Sequence, residues 1–262
     1  MSKFINADCM DYLPTYPDNH FDLAIVDPPY GINLGHGTTG GGISVIGENG
    51  QGRPFGGRKA DRPDEGGGYS GYIFDKDTQR RKKLSVQSKF YPAFDDSSPP
   101  DESYFRELQR VSKYQIIWGG NFFGDYLGRC SRMIVWDKKR RGLHQADCEI
   151  AWTNLKGQNR IFEFKWNGML QEDMKNKEKR VHAAQKPVAL YKYLLNNFAE
   201  EGYTILDTHV GSASSLIACE QLGFEYVGFE LSKTYYDIAT KRMQEYRETG
   251  IQMTLDNFFG WR

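Results

Sequence analysis

The apolar run Phe21-Asp22-Leu23-Ala24-Ile25-Val26 stops at Asp27-Pro28-Pro29-Tyr30-Gly31. A short apolar run closed by two prolines reads as a buried strand with a stiff exit. Each proline fixes its own φ and pushes the residue before it toward extended backbone. The Asp27 carboxylate and the carbonyls beside it are thereby held as acceptors with little freedom. Tyr30 offers a face for a planar ring, a contact worth about 1–3 kcal/mol. Together these residues suit a grip on the exocyclic amine of a flat base. In isolation they also fit a strand followed by a plain Pro-Tyr-Gly turn, because short motifs carry false positives.

The rest of the chain sets the context. Short strands are expected at Phe4-Ile5-Asn6, Leu23 to Val26, Gln115 to Trp118, Met133 to Trp136, Cys148 to Trp152, Thr204 to Asp207 and Glu225 to Glu230. Helical apolar spacing covers Ser103 to Ser112, Val188 to Phe198, Ser214 to Gln221 and Ser232 to Arg247, with Ser232 as N-cap. Strands alternating with helices imply an α/β domain, a mainly parallel sheet covered on both faces. Ligands in such folds bind beyond the carboxyl ends of the strands, where both Asp27 and Asp207 fall. A chain of 262 residues is long enough for one such domain.

From residue 31 to 100 the pattern lapses into glycine, charge and polar residues, including Gly40-Gly41-Gly42 and Gly66-Gly67-Gly68. A stretch this long without periodicity is a functional loop or disorder, and a flap over substrate is the expectation. Gly35-His36-Gly37 has neither a preceding strand nor a following Gly-Lys-Ser/Thr, so it is no phosphate loop.

The net charge of zero argues against a uniformly basic nucleic-acid binder, but local clusters stand out. Arg80, Arg81, Lys82 and Lys83 form one, and Lys138, Lys139, Arg140 and Arg141 another; a third spans Lys175 to Arg180. Contacts to DNA phosphates are the expectation for them, against the alternative of a solvated face. Cys9, Cys130, Cys148 and Cys219 make no CxxC pair, which predicts free thiols, no metal site and a cytoplasmic protein. The start of the chain has no signal-peptide pattern and no apolar run is long enough to span a bilayer.

A second constellation lies at Asp207-Thr208-His209-Val210-Gly211-Ser212-Ala213-Ser214, between a strand and a helix. Gly211 allows close backbone approach, and the helix start favours an anionic group. Glu230, at the end of the next strand, has the spacing of an acidic residue that binds ribose hydroxyls. A ligand with a ribose and an anionic group is implied, and S-adenosylmethionine fits that description. The alternative is a Gly-Ser turn used for packing.

These motifs, in this order, resemble the DNA amino-methyltransferases, in particular the permuted β class of adenine-N6 enzymes. Asp27-Pro28-Pro29-Tyr30 matches the catalytic DPPY motif, and Asp207 to Ser214 stands for the Asp-Pro-Phe-x-Gly-Ser-Gly cofactor loop. His182-Ala183-Ala184-Gln185-Lys186-Pro187 is similar to the His-Pro-x-Gln-Lys-Pro signature, and Asn6-Ala7-Asp8-Cys9 to the segment that binds the cofactor's adenine amine. Thr208, His209 and Ala213 depart from the family's proline, phenylalanine and glycine; the Ala213 methyl is expected to crowd the ligand or the helix start.

The resemblance implies a single seven-stranded Rossmann-like methyltransferase domain over residues 1–262, with the flap at 31–100 and a short target-recognition region at 154–181. It implies catalysis by Asp27, Pro28, Pro29 and Tyr30. S-adenosyl-L-methionine would be held by Asp8, Cys9, Asp27, Lys186, Asp207, Thr208, His209, Gly211, Ser212, Ala213, Glu230 and Leu231, with Lys186 as partner of its carboxylate. The partner is double-stranded DNA, with a cognate restriction endonuclease and a homodimer as further expectations. N4-cytosine methylation, usually with serine at the position of Asp27, is the nearest alternative; a catalytically inactive DNA-binding module is another.

Overall fold

Alternation of strand and helix sets the architecture of this computed structural model, which describes residues 2–32, 44–46, 68–75, 80–87, 90–92, 94–141, 146–167 and 170–249. Of 44–46, 68–75, 80–87, 90, 167 and 249 the backbone alone is described. The chain opens with β1 (Lys3–Ile5) and β2 (Phe21–Val26). Four strands follow: β3 (Ser44–Ile46), β4 (Gly68–Asp75), β5 (Arg80–Gln87) and β6 (Phe90–Pro92). Then come α1 (Glu102–Val111), β7 (Ser112–Trp118), α2 (Gly124–Leu127), β8 (Arg132–Asp137) and β9 (Cys148–Thr153). β10 (Arg160–Glu163), β11 (Trp166–Asn167) and β12 (Leu170–Gln171) precede α3 (Val188–Phe198). β13 (Thr204–Asp207), α4 (Ser214–Leu222), β14 (Glu225–Phe229) and α5 (Lys233–Thr249) complete the described chain.

Eight strands form one sheet in the order β1-β14-β13-β2-β7-β9-β8-β10. All neighbours are parallel except β9, which runs against both β7 and β8. The α/β expectation holds, with one strand more than the seven expected. The extra edge strand, β10, comes from the segment read as a recognition region. Its residues Arg160 and Ile161 are exposed, so its pattern shows too little burial to signal a strand. Within the region read as a flap, β4 and β5 pair as an antiparallel hairpin and β3 pairs with β6. Most of that region lies outside the described residues.

Period-two alternation splits the core into two layers. Leu23, Ile25, Ile116, Trp118 and Ile205 face α3 and α4, meeting Leu190, Leu194, Leu216 and Ile217. Ala24, Val26, Ile117, Leu206 and Val227 face the other way, onto Phe105, Leu108 and Phe123. Each fully buried large side chain contributes about 1.5–3 kcal/mol. Helix α1 starts where Asp101 accepts from the Tyr104 N–H at 3.2 Å, and Ser232 Oγ accepts from the Tyr235 N–H at 3.4 Å at the start of α5. Among the described residues, no helix is long and apolar enough to cross a membrane.

Candidate active site

Parallel strands deliver their carboxyl ends to one edge of the sheet. Asp27 follows β2, Asp207 ends β13, Glu230 follows β14, Asn6 to Asp8 follow β1, and Gly119 follows β7. Because β9 runs the other way, that edge receives its beginning. Glu149 stands opposite Trp136 and two residues ahead of Ala151, the partner of Trp118. A carboxylate from the start of one strand thus joins those at the ends of the others.

Asp27 sits in a buried charge network. Its Oδ1 accepts from the Tyr30 hydroxyl at 2.5 Å, and its Oδ2 accepts from the Lys186 ammonium. Lys186 also reaches Glu149 Oε2 at 3.1 Å and Tyr30 Oη at 3.2 Å, and lies 5.6 Å and 5.5 Å from the Tyr30 and Trp118 ring centres. The other Glu149 oxygen accepts from Lys138, whose ammonium lies 4.8 Å from the Trp136 ring. Burial pushes the Asp27 carboxyl up, and Lys186 opposes that push. Burial also works to raise Glu149, but the two ammonium groups overcome it and hold it at about 2. Lys186 is raised despite burial, because two carboxylates face it.

The backbone of the motif is fixed from a distance. Asp96, itself buried, accepts from the N–H groups of Tyr30 at 2.7 Å and Gly31 at 3.0 Å. Gly119, at φ +73°, packs its α-carbon on the Tyr30 ring; a Cβ there would fall 2.3 Å from a ring carbon, so only glycine fits. Phe122, half exposed, stacks on Tyr30 with ring centres 5.0 Å apart and planes 16° from parallel.

In the loop after β13, Asp207 has no ion pair among the described residues. Asp207 accepts from Ser215 Oγ and from the His209 N–H at 3.0 Å, and burial raises its carboxyl to about 7. Thr208 Oγ1 lies 2.6 Å from the Tyr104 hydroxyl and 2.9 Å from His209 Nδ1. Burial pushes the His209 imidazole down to about 4, so it is neutral near pH 7. Glu230 accepts from the Gly211 N–H at 2.8 Å and the Ser232 N–H at 2.9 Å, one per oxygen, which leaves each a lone pair for a hydroxyl donor. Ser212 is clamped through its carbonyl, which accepts from Arg242 at 2.6 Å, and Arg242 also donates to Ser214 Oγ at 2.9 Å. The same guanidinium pairs with Glu178 at 2.9 Å, and Glu178 accepts from the Val188 N–H at 2.9 Å.

Ala213 takes a left-handed conformation, φ +63°, at the N-cap of α4 and supplies no side-chain cap. This residue, whose methyl is expected to crowd the ligand or the helix start, is also a source of backbone strain. The uncapped N–H groups of α4 suit an anionic oxygen. At the far rim, Asn6 donates to the carbonyls of Glu230 at 2.7 Å and Leu231 at 3.1 Å. Leu231 is 72% exposed, and Asp8 is exposed with one oxygen bound to the Met10 N–H at 2.9 Å. Cys9 is buried, which pushes its thiol up to about 12. This rim offers an apolar wall and carboxylates to a ring bearing hydroxyls and an amine.

Several expected sites stand differently. Lys186 is placed in ion pairs with Asp27 and Glu149. Lys138 is a correction: it is buried and ion-paired with Glu149, so it presents no charge to a phosphate. Arg141 is exposed but pairs with both oxygens of Asp137, at 2.8 Å and 2.5 Å. Lys139 pairs with Glu172 at 3.1 Å, and Arg140 donates to the Ala146 carbonyl at 3.1 Å. Arg80, Arg81, Lys82 and Lys83 lie on β5, with side chains outside the described residues. His182 is a buried turn former, its Nδ1 accepting from the Ala184 N–H at 3.0 Å against the Tyr235 ring. Glu149, Asp96 and Phe122 escaped the sequence reading. Glu149 was hidden by the direction of β9, and Asp96 by the long segment between it and Tyr30.

Comparison with known proteins agrees with this geometry. The type II methyltransferase M2.DpnII of Streptococcus pneumoniae is 23% identical over 257 residues, covering 94% of this chain and 90% of that one. M2.LlaDCHI of Lactococcus lactis subsp. cremoris is 22% identical over 261 residues, covering 94% and 91%. The solved PvuII DNA methyltransferase (cytosine-N4-specific) shares the fold, with TM-score 0.51, 9% identity and coverage of 94% of this chain and 90% of that one. The family model described as DNA methylase, of the N6/N4 type, matches residues 73–241, which include Lys186, Asp207–Ser214 and Glu230. With more than half of its length matched, the chain belongs to the N6/N4 DNA methylase family.

Proposed function

We propose that this chain transfers a methyl group from S-adenosyl-L-methionine to the N6 amine of an adenine flipped out of double-stranded DNA. The observation that carries the choice of base is Asp27, a carboxylate where the N4-cytosine enzymes usually have serine. The chain order, with the Asp27 strand β2 ahead of β13 and its loop, supports the permuted β class. When bound, the cofactor supplies an electrophilic methyl group. The uncapped start of α4, Glu230, Asp8 and Leu231 fit its anionic, ribose and adenine parts respectively, and Cys9, Thr208, Gly211 and Ser212 frame it.

A base inside a duplex cannot reach a buried methyl group, so the base leaves the stack. Tyr30 and Phe122 receive its face. Asp27 and the Pro28 carbonyl accept from the amine, which aims its lone pair and favours the charge that builds on nitrogen. Asp27 or solvent takes the surplus proton. Arg141, Lys139, Arg140 and the β5 cluster Arg80–Lys83 are the candidates for phosphate contact, and residues 31–100 and 154–181 for target reading. A cytoplasmic location, a cognate restriction endonuclease and a homodimer complete the reading.

Mass spectrometry of nucleosides, with base-modification sequencing of plasmid DNA from expressing cells, tests it. N6-methyladenine at a defined sequence is the expected result. N4-methylcytosine in its place overturns the choice of base, and unmodified DNA overturns the reaction.

A further inference from the structure

Lys186 donates hydrogen bonds to Asp27 Oδ2 and Tyr30 Oη, and its ammonium also forms an ion pair with Glu149 Oε2 at 3.1 Å, an oxygen that accepts no hydrogen bond among the described residues. A carboxylate offers about four lone-pair directions, of which Asp27 uses one on Tyr30 and one on Lys186. Two remain, enough for an amine donor and for a departing proton. Among the described residues, without Glu149 a buried Lys186 would have Asp27 as its sole ion-paired carboxylate, and a buried Lys138 would lose its ion-pair partner. Asp27, Glu149, Lys186 and Lys138 together carry zero net charge, and Lys186 links the two halves by facing both carboxylates.

We propose that Glu149 is a positioning residue for methyl transfer: it divides the Lys186 ammonium between two carboxylates, so that Asp27 keeps lone pairs free for the target amine. The inference rests on the functional reading of Asp27 given above. In the step it serves, the amine nitrogen bonds to the methyl carbon, the carbon–sulfur bond breaks with its electrons going to sulfur, and one amine proton passes to Asp27. Glu149 favours that last event, because its negative charge makes Asp27 more willing to hold a proton. Other ionisable groups also face this centre: Tyr191 on α3, Tyr104 on α1, Asp207 on β13, and Arg140 beside Glu149.

The test uses the full chain and two readouts. Carbon-13 NMR follows the titration of the Asp27 carboxyl without cofactor or DNA, and single-turnover assays follow methylation of a target duplex. Glu149→Gln is expected to move the Asp27 midpoint to lower pH and to slow methyl transfer about tenfold or more, with duplex affinity little changed. Because that variant strands Lys138, the charge-balanced pair E149Q with K138M is made beside it; it is expected to fold and to stay slow, while E149D recovers part of the rate. A wild-type rate in the balanced pair means that Glu149 merely neutralises Lys138, and overturns the proposal. So does an Asp27 midpoint that does not move. A shifted midpoint in a protein that methylates no DNA supports the charge sharing and sinks the functional reading instead.

Discussion

Two aspartates end up on the same edge of the sheet, at the exits of adjacent parallel strands, and the chain treats them in opposite ways. Asp27 is given a lysine and a tyrosine hydroxyl, whereas Asp207 is given a serine hydroxyl and a backbone N–H. A buried carboxylate beside a cation, as at Asp27, is raised by burial but has that rise opposed by the cation. One that has only dipoles is pushed to about 7 and holds its proton for much of the time. Burial at a strand end therefore does not decide a carboxylate's role; its partner does. The first is suited to gripping an amine, the second to tying a loop to the helix that follows it.

The sharpest way to separate the pair is to remove each in turn. Asp27→Ala is expected to lower single-turnover methylation about a thousandfold, the scale of losing a preorganised electrostatic partner, with the fold intact by circular dichroism. Lys186→Met should make Asp27 resemble Asp207. Breaking a buried ion pair from one side costs about 3 kcal/mol, readable in urea unfolding. The acid limb of the pH–rate profile should also move to higher pH, because the cation that favoured the ionised form of Asp27 is gone.

Asp207→Asn tests the other half of the comparison. Its raised carboxyl means that the folded state binds more protons than the unfolded state between about pH 4 and 7, so this group lowers stability as pH rises through that window. The amide oxygen still accepts from the His209 N–H, and the amide nitrogen donates to Ser215 Oγ in a reversed bond, both without the charge. The variant should lose that part of the pH dependence and gain about 1 kcal/mol or more at pH 8, measured by urea midpoints. The smallest effect is expected of Ala213→Gly, which relieves a left-handed residue in the same loop: about 0.5–1 kcal/mol of added stability.

Much of this contrast was legible in the sequence. Strand exits read from apolar runs located Asp27, Asp207 and Glu230, because a parallel sheet sends every such exit to one edge. The residues that distinguish the two aspartates were less visible. Glu149 stands at the start of a strand, and nothing in Cys148-Glu149-Ile150-Ala151-Trp152 reveals that the strand is reversed. Lys138 looked like part of a surface run, since four consecutive basic residues carry no sign of which one turns inward. Only the antiparallel pairing of β8 with β9, which brings Lys138 beside Glu149, decides that. The left-handed Ala213 was noticed as a departure in residue type, but its cost lies in a backbone angle that composition does not encode.

The clamp on the cofactor loop has a consequence in the order of synthesis. Arg242 belongs to α5, the last helix described, and among the described residues it ties Ser212 and Ser214 to Glu178. Asp27, Glu149 and Lys186 have all been made before it. A growing chain can therefore assemble its charged centre while the neighbouring loop is still unlocked, and the loop gains its fastening only as the final helix docks.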